Sequence, residues 1–127
     1  MPSSEHTILI IEDEATLLAA LSKAFALEGF RVLAARDSQS AWIEVQKKPD
    51  IILLDIILPG KSGKDFLQEL KVQKHFARIP VVVLTNVADS TMVSEMLSRG
   101  ALDYCVKADH TLDEIVEKVK MRLGVRK

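Results

Sequence analysis

The chain has 127 residues, enough for one domain with a real core and too few for two. Apolar residues make up 48% and charged residues 28%, with 5 glycines and 4 prolines, which excludes disordered, collagen-like and low-complexity classes. Lysine plus arginine (17) nearly balance aspartate plus glutamate (18), so a formal net charge of -1 offers no global field for nucleic acid or an anionic membrane. Direct nucleic-acid binding is therefore not expected. The single cysteine, Cys105, cannot form an internal disulfide, and there is neither a charged-then-apolar leader nor an apolar run of about 18 residues. The expectation is a cytoplasmic protein without a membrane span.

Thr7-Ile8-Leu9-Ile10-Ile11 is a continuous β-branched apolar run that stops at Glu12-Asp13-Glu14, the pattern of a strand buried on both faces of a parallel sheet. Leu17, Leu18, Leu21, Ala24 and Phe25 recur at helical spacing until Gly29. Phe30 to Ala35 reads as a second strand. Asp37 or Ser38 can cap a helix reaching about Lys47 that buries Ala41, Trp42 and Val45, with Lys47-Lys48 offsetting the dipole at its end and Pro49 closing it. Ile51 to Leu54 is again a buried-strand run ending on an acid, Asp55, and Pro59, Gly60 and Gly63 mark a loop after it.

A third helix, from about Gly63 to Lys74, would bury Phe66, Leu67 and Leu70, and Val81 to Leu84 makes a fourth strand ending at Thr85. Asp89 or Ser90 caps a fourth helix carrying Met92, Val93, Met96 and Leu97 as far as Gly100; Asp103 to Val106 is a fifth strand, followed by Lys107. Thr111-Leu112-Asp113-Glu114 has capping-box spacing ahead of an apolar stripe of Leu112, Ile115, Val116, Val119 and Leu123. Five strands alternating with five helices predict an open, doubly wound α/β sheet with helices on both faces. The reading is a single domain over residues 1–127 with its core at about 7–124, and frayed tips at Met1 to His6 and Val125 to Lys127.

In such sheets ligands bind at the carboxyl edge of the strands, near the point where strand order reverses. The residues just after the apolar runs are Glu12-Asp13-Glu14, Asp55, Thr85 and Lys107, which delivers carboxylates, a hydroxyl and an ammonium to one rim. Carboxylates within about 5 Å of one another repel by a few kcal/mol at an effective dielectric near 20, and a divalent cation relieves the conflict. Oxygen-only ligands favour Mg²⁺, which takes one or two carboxylates, keeps waters and accepts a phosphate oxygen. An ionised Asp55 could attack phosphorus without a general base, giving an acyl phosphate, while Lys107 and Mg²⁺ neutralise the transferring oxygens and the Thr85 hydroxyl bonds one of them.

With these residues in this order, essentially the whole chain resembles a response-regulator receiver domain of two-component signalling, a CheY-like, flavodoxin-like (βα)5 fold with strand order 2-1-3-4-5. The resemblance implies that Asp55 is the phosphoacceptor and that Asp13 and Asp55 ligate Mg²⁺ with the backbone carbonyl of Ile57, Glu12 assisting through water. It assigns Thr85 and Tyr104 to a conformational switch and Lys107 to the phosphoryl group. It implies a sensor histidine kinase or phosphotransfer protein as donor, and an output face on the fourth helix, fifth strand and fifth helix for an effector domain, a partner protein or a second copy. Leu58 to Gly63 matches the family's loop after the acceptor in its proline and final glycine. Glu12-Asp13 stands where the family often has two aspartates, glutamate first being a familiar variant. Two further positions depart from the common pattern: Ala108 stands where the family usually has proline, commonly after a cis peptide, and Asn86 stands where it prefers a smaller residue. Ile57 and Val87, apolar at rim positions, are expected to shield the acyl phosphate from water.

Plainer readings exist for each residue alone. Glu12, Asp13 and Glu14 could cap the first helix, worth about 0.3–1 kcal/mol each. Thr85 and Lys107 could be ordinary strand ends, and Tyr104 a core aromatic with a surface hydroxyl. His6, His75 and His110 lack metal spacing and read as solvated structural residues; Cys105 reads as a buried thiol, and Trp42 and the methionines as core or groove fillers. Whole-chain alternatives are a pseudo-receiver that only makes protein contacts, a small aspartyl-phosphate phosphatase like the haloacid dehalogenases, and a flavin or nucleotide binder. The phosphatase would need a second aspartate two residues after Asp13, where Ala15 stands, and the nucleotide binder a glycine-rich or hydroxyl-rich cradle where Glu12 to Glu14 lie.

Overall fold

The computed structural model describes residues 5–124; the predicted fraying of residues 1–4 and 125–127 lies outside them. Eleven segments follow in chain order: β1 (Thr7–Ile11), α1 (Ala15–Leu27), β2 (Arg31–Ala35), α2 (Ser38–Val45), β3 (Ile51–Leu54), α3 (Gly63–Val72), β4 (Val81–Thr85), α4 (Ser90–Ser98), β5 (Asp103–Val106), a single 3-10 turn (Lys107–Asp109) and α5 (Leu112–Leu123). The strands form one parallel sheet in the order β2-β1-β3-β4-β5, the flavodoxin-like order anticipated. His6 is held rather than frayed, because its carbonyl accepts the Arg31 N–H at 2.8 Å.

Strand side chains alternate faces, and the two faces of this sheet hold separate cores. Ile8 and Ile10 of β1, Ile51 and Leu53 of β3, Val82 and Leu84 of β4 and Cys105 of β5 pack against Leu21 and Phe25 of α1 and Ile115, Val116 and Val119 of α5. Their neighbours in sequence, Leu9, Ile11, Ile52, Leu54, Val81 and Val83, point the other way onto Ala41 and Val45 of α2, Phe66, Leu67 and Leu70 of α3 and Met96 of α4. A continuous apolar run is thus what a central strand with helices on both sides requires.

Helix ends follow local hydrogen bonding. Asp37 caps α2 by accepting the Ser40 N–H at 2.7 Å, and Asp89 caps α4 by accepting the Thr91 N–H at 2.9 Å. At α5, Thr111 and Glu114 form the reciprocal capping box. Two predicted ends are corrected. Helix α2 stops at Val45 rather than Lys47, because Lys48 turns to φ 57° in front of Pro49. Helix α3 stops at Val72 rather than Lys74, and a turn through residues 73–79 folds Phe76 back beneath Trp42, ring centroids 6.1 Å apart. Lys71 secures that turn by donating to the Ala77 and Ile79 carbonyls at 3.0 and 2.8 Å, and burial pushes its ammonium pKa down. Two apolar assignments also change: Met121 is 73% exposed and Leu97 44% exposed.

Gly63, first residue of α3, sits against the end of β3. Its N–H donates to the Ile56 carbonyl at 2.7 Å, and a Cβ placed there would lie 2.1 Å from the Asp55 carbonyl oxygen and 2.7 Å from the Ile56 Cα. Backbone cannot yield that much locally, so glycine is required for close approach rather than for dihedral freedom. Gly63→Ala is expected to destabilise the protein by about 3 kcal/mol in urea denaturation; an unchanged midpoint would mean that the loop between β3 and α3 can move away freely.

Candidate functional site

Parallel register assembles the rim. Ile11 lies beside both Ala35 and Leu54, so Glu12, Arg36 and Asp55 leave three adjacent strands together; Thr85 lies beside Val106, so Lys107 leaves β5 at the same edge of the sheet. The ladder continues one step past the strands, with Glu12 N–H donating to the Ala35 carbonyl at 2.9 Å and Asp55 N–H to the Ile11 carbonyl at 3.0 Å. The strand order reverses between β1 and β3, which makes this the topological switch point. An open cleft of about 250 Å³ lies there, lined by Glu12, Asp13, Glu14, Asp55, Ile57, Thr85, Asn86 and Lys107.

Lys107 is the hub of the cleft. Its ammonium donates to Asp55 Oδ2 at 2.8 Å and pairs with Glu12 Oε1 at 2.9 Å, although the two carboxylates are only 7% and 4% exposed. Burial alone would disfavour the ammonium, yet hydrogen bonds and charge from Asp55 and Glu12 outweigh it and hold the Lys107 pKa above the ordinary lysine value. For Glu12 the balance is reversed: burial, aided by the charge on Asp55, raises its pKa despite hydrogen bonds from Lys107 and the Glu14 N–H. The remaining oxygens are engaged too. Glu12 Oε2 accepts the Glu14 N–H at 2.9 Å, and Asp55 Oδ1 accepts the Ile57 N–H at 3.2 Å.

Glu14 occupies the cap position of α1 but makes no side-chain cap bond, so the simple capping reading of the three acids does not describe them. Asp13 is exposed at the mouth, and its backbone carbonyl is gripped by the Arg36 fork, Nη2 at 2.8 Å and Nε at 3.1 Å. Sequence reasoning overlooked Arg36. The strand-end rule that selected the other rim residues selects it as well, as the first residue after β2.

Thr85 is fully buried, and its Oγ1 lies 3.5 Å from the Val87 N–H. The Tyr104 hydroxyl donates to the Val87 carbonyl at 2.6 Å, so β5 holds the loop that follows β4. Burial, with the charges of Asp55 and Asp89, raises the Tyr104 pKa. The two unusual positions meet: Ala108 N–H donates to Asn86 Oδ1 at 3.0 Å, and there is no cis peptide among the described residues. The histidines stand apart from the cleft: His6 and His75 lie near the Phe30 and Phe76 rings, and His110 Nδ1 is 3.0 Å from the Val106 carbonyl.

The donor chemistry fits a hard cation. Among the described residues no group of three or more His, Cys, Asp or Glu side chains could by itself hold a metal ion. Mg²⁺ needs no such cage, since one or two carboxylates suffice when water and phosphate complete its shell. Asp13 and Asp55 are oxygen donors in one open cleft with Ile57, and carboxylates there outnumber ammonium groups. No described helix is long and apolar enough to cross a membrane.

The family model of the response regulator receiver domain matches residues 8–120. The phosphate regulon transcriptional regulatory protein PhoB of Pseudomonas aeruginosa is 37% identical over 102 residues, covering 80% of this chain and 44% of PhoB. Among solved structures, the BeF3-activated N-terminal receiver domain of Klebsiella pneumoniae RstA is similar with a TM-score of 0.84 and 25% identity, covering 92% of this chain and 97% of that one. The Mn(2+)-bound form of response regulator Rcp1 is similar with a TM-score of 0.80 and 26% identity, covering 91% of each chain.

Stability of the metal-free protein should report the strain of buried carboxylates. A carboxylate with a raised folded pKa binds more protons folded than unfolded, so its contribution falls as pH rises from the ordinary value of 4.5 through the raised one. Glu12→Gln, which keeps an acceptor for Lys107, is therefore expected to be more stable than wild type at pH 7 and equal to it near pH 4. Denaturant midpoints at the two pH values check this; a variant less stable at pH 7 would contradict it.

Proposed function

The chain belongs to the response regulator receiver family of two-component signalling, and on that premise we propose that it is a phospho-accepting switch with Asp55 as acceptor. The observation that carries this reading is the Asp55 carboxylate at the end of β3, joined to the Lys107 ammonium at 2.8 Å in an open cleft with the buried Thr85 hydroxyl. We take residues 1–127 as one cytoplasmic receiver domain, core 7–124, that catalyses only its own phosphorylation and dephosphorylation.

The donor is a phosphohistidine of a sensor kinase or phosphotransfer protein. One Asp55 oxygen attacks phosphorus; the new P–O bond forms as the P–N bond breaks, and the imidazole nitrogen leaves with the electron pair and takes a proton from solvent. The ionised carboxylate needs no general base. Lys107 transfers its contact from Asp55 to a phosphoryl oxygen, and the Thr85 hydroxyl donates to another. The Asp13 and Asp55 carboxylates and the Ile57 carbonyl would hold Mg²⁺, with Glu12 assisting through water, and the ion would supply neutralisation of phosphoryl charge. Ile57, 66% exposed on the cleft lip, and half-buried Val87 limit the approach of water to the acyl phosphate.

Phosphorylation adds about -1.5 to -2 charges at the rim. Drawing Thr85 toward the phosphoryl group loosens its 3.5 Å contact with Val87, whose carbonyl Tyr104 holds, so the change passes to the α4–β5–α5 face. A partner responds only if it binds the two states with different affinity. The chain spans less than half the length of PhoB, a transcriptional regulator by name, so an effector domain is one output, with a partner protein or a second copy as others.

Intact mass after incubation with acetyl phosphate tests the reading. The wild type should gain one phosphoryl group only with Mg²⁺, and Asp55→Asn none. Lys107→Ala should slow the gain by about 100-fold, and Ile57→Asn should shorten the phosphoryl lifetime severalfold. A folded wild type that gains nothing from either acetyl phosphate or a phosphorylated kinase would favour a protein-contact module.

A further inference from the structure

Lys107 is anchored by surprisingly little backbone. It opens the single 3-10 turn at residues 107–109, with Ala108 and Asp109 exposed, and within that turn the His110 N–H reaches the Lys107 carbonyl at a long 3.3 Å. The contact tying the turn back to the neighbouring loop is Ala108 N–H to Asn86 Oδ1, 3.0 Å. Proline at position 108 would have no N–H to donate and would bias Lys107 away from helical dihedrals. Alanine permits the turn and frees a donor that Asn86 satisfies. Asn86 itself follows Thr85 directly and lines the cleft. One hydrogen bond therefore spans the two loops that carry the hydroxyl and the ammonium of the site.

We propose that Asn86 is a positioning residue: its side-chain carbonyl straps the turn after β5 to the loop after β4 and so holds the Lys107 ammonium over Asp55. This rests on the phospho-accepting reading and adds a part to it. Without the strap the turn keeps its backbone fold but samples positions in which Nζ misses the phosphoryl oxygens, and misplacement by about 1 Å at such a centre costs up to 100-fold in rate. Asn86 acts only through Lys107, which separates it from a residue that merely fills space at the mouth of the cleft.

Two readouts test the strap on the full chain, with circular dichroism confirming that each variant is folded. In Asn86→Ala, amide exchange at Ala108 should accelerate about three- to tenfold, as expected for one lost hydrogen bond, while Asn86→Asp, which keeps an acceptor oxygen at the same length, should restore protection. Phosphorylation of Asn86→Ala by acetyl phosphate with Mg²⁺ should slow at least threefold, and the same substitution in a Lys107→Ala background should change nothing further. Faster phosphorylation in Asn86→Ala would overturn the proposal and make Asn86 a steric gate, and equal slowing with and without Lys107 would overturn it by showing that Asn86 does not act through Lys107. If the wild type takes no phosphoryl group, the phospho-accepting reading fails by itself. The strap is then judged on exchange at Ala108 and on NMR order at the Lys107 side chain, and unchanged values in Asn86→Ala overturn it.

Discussion

A lysine shared between two nearly buried carboxylates governs this molecule. Lys107 reaches Asp55 and Glu12 at 2.8 and 2.9 Å from a different strand end than either acid, so β1, β3 and β5 are joined by charge at their carboxyl edges. Removing the lysine would leave both carboxylates buried without compensation, a loss of about 3–5 kcal/mol in comparable cases. The pairing does not neutralise the rim, because Asp13 adds a further carboxylate at the mouth. The surplus of negative charge favours a divalent cation as the occupant of the cleft.

The sheet exists, in this light, to deliver those groups without their meeting elsewhere. Parallel pairing places Ile11 beside Leu54 and Thr85 beside Val106, and Glu12, Asp55, Thr85 and Lys107 each lie at or one step beyond the end of a strand. Two cores hold the strands from both sides, and Gly63 lets α3 close directly against the Asp55 backbone. Rigidity below the rim contrasts with the loops above it, where single hydrogen bonds from Tyr104 to Val87 and from Ala108 to Asn86 hold the segments that the proposed switch would move. A switch needs that contrast, since a tightly packed scaffold transmits a displacement that a soft one would absorb.

Much of this was legible in the residues. Continuous apolar runs ending on Glu12, Asp55, Thr85 and Lys107 carry both the strand assignment and the rim, because burial on two faces leaves a strand no other place for polar groups than its ends. Cap chemistry likewise marked Asp37, Asp89 and Thr111. What the sequence concealed depends on contacts between distant segments: the Lys71 bonds that fold residues 73–79, the Arg36 grip on the Asp13 carbonyl, the exposure of Met121, and the meeting of Asn86 with Ala108. Met121 does fall outside the apolar stripe of α5 and Arg36 does lie at a strand end, but the contacts themselves have no local periodicity or propensity that would announce them. The resemblance to receivers flagged Asn86 and Ala108 separately as departures, and only their distance relates them.

The most direct test of the central claim is the unfolding midpoint of the metal-free protein as Mg²⁺ is added, for wild type and Asp55→Asn. If surplus carboxylate charge around Lys107 defines the cleft, Mg²⁺ raises the wild-type midpoint with the logarithm of its concentration once that exceeds the dissociation constant, and leaves Asp55→Asn unmoved. An equal rise in both proteins, or none in either, would contradict the account.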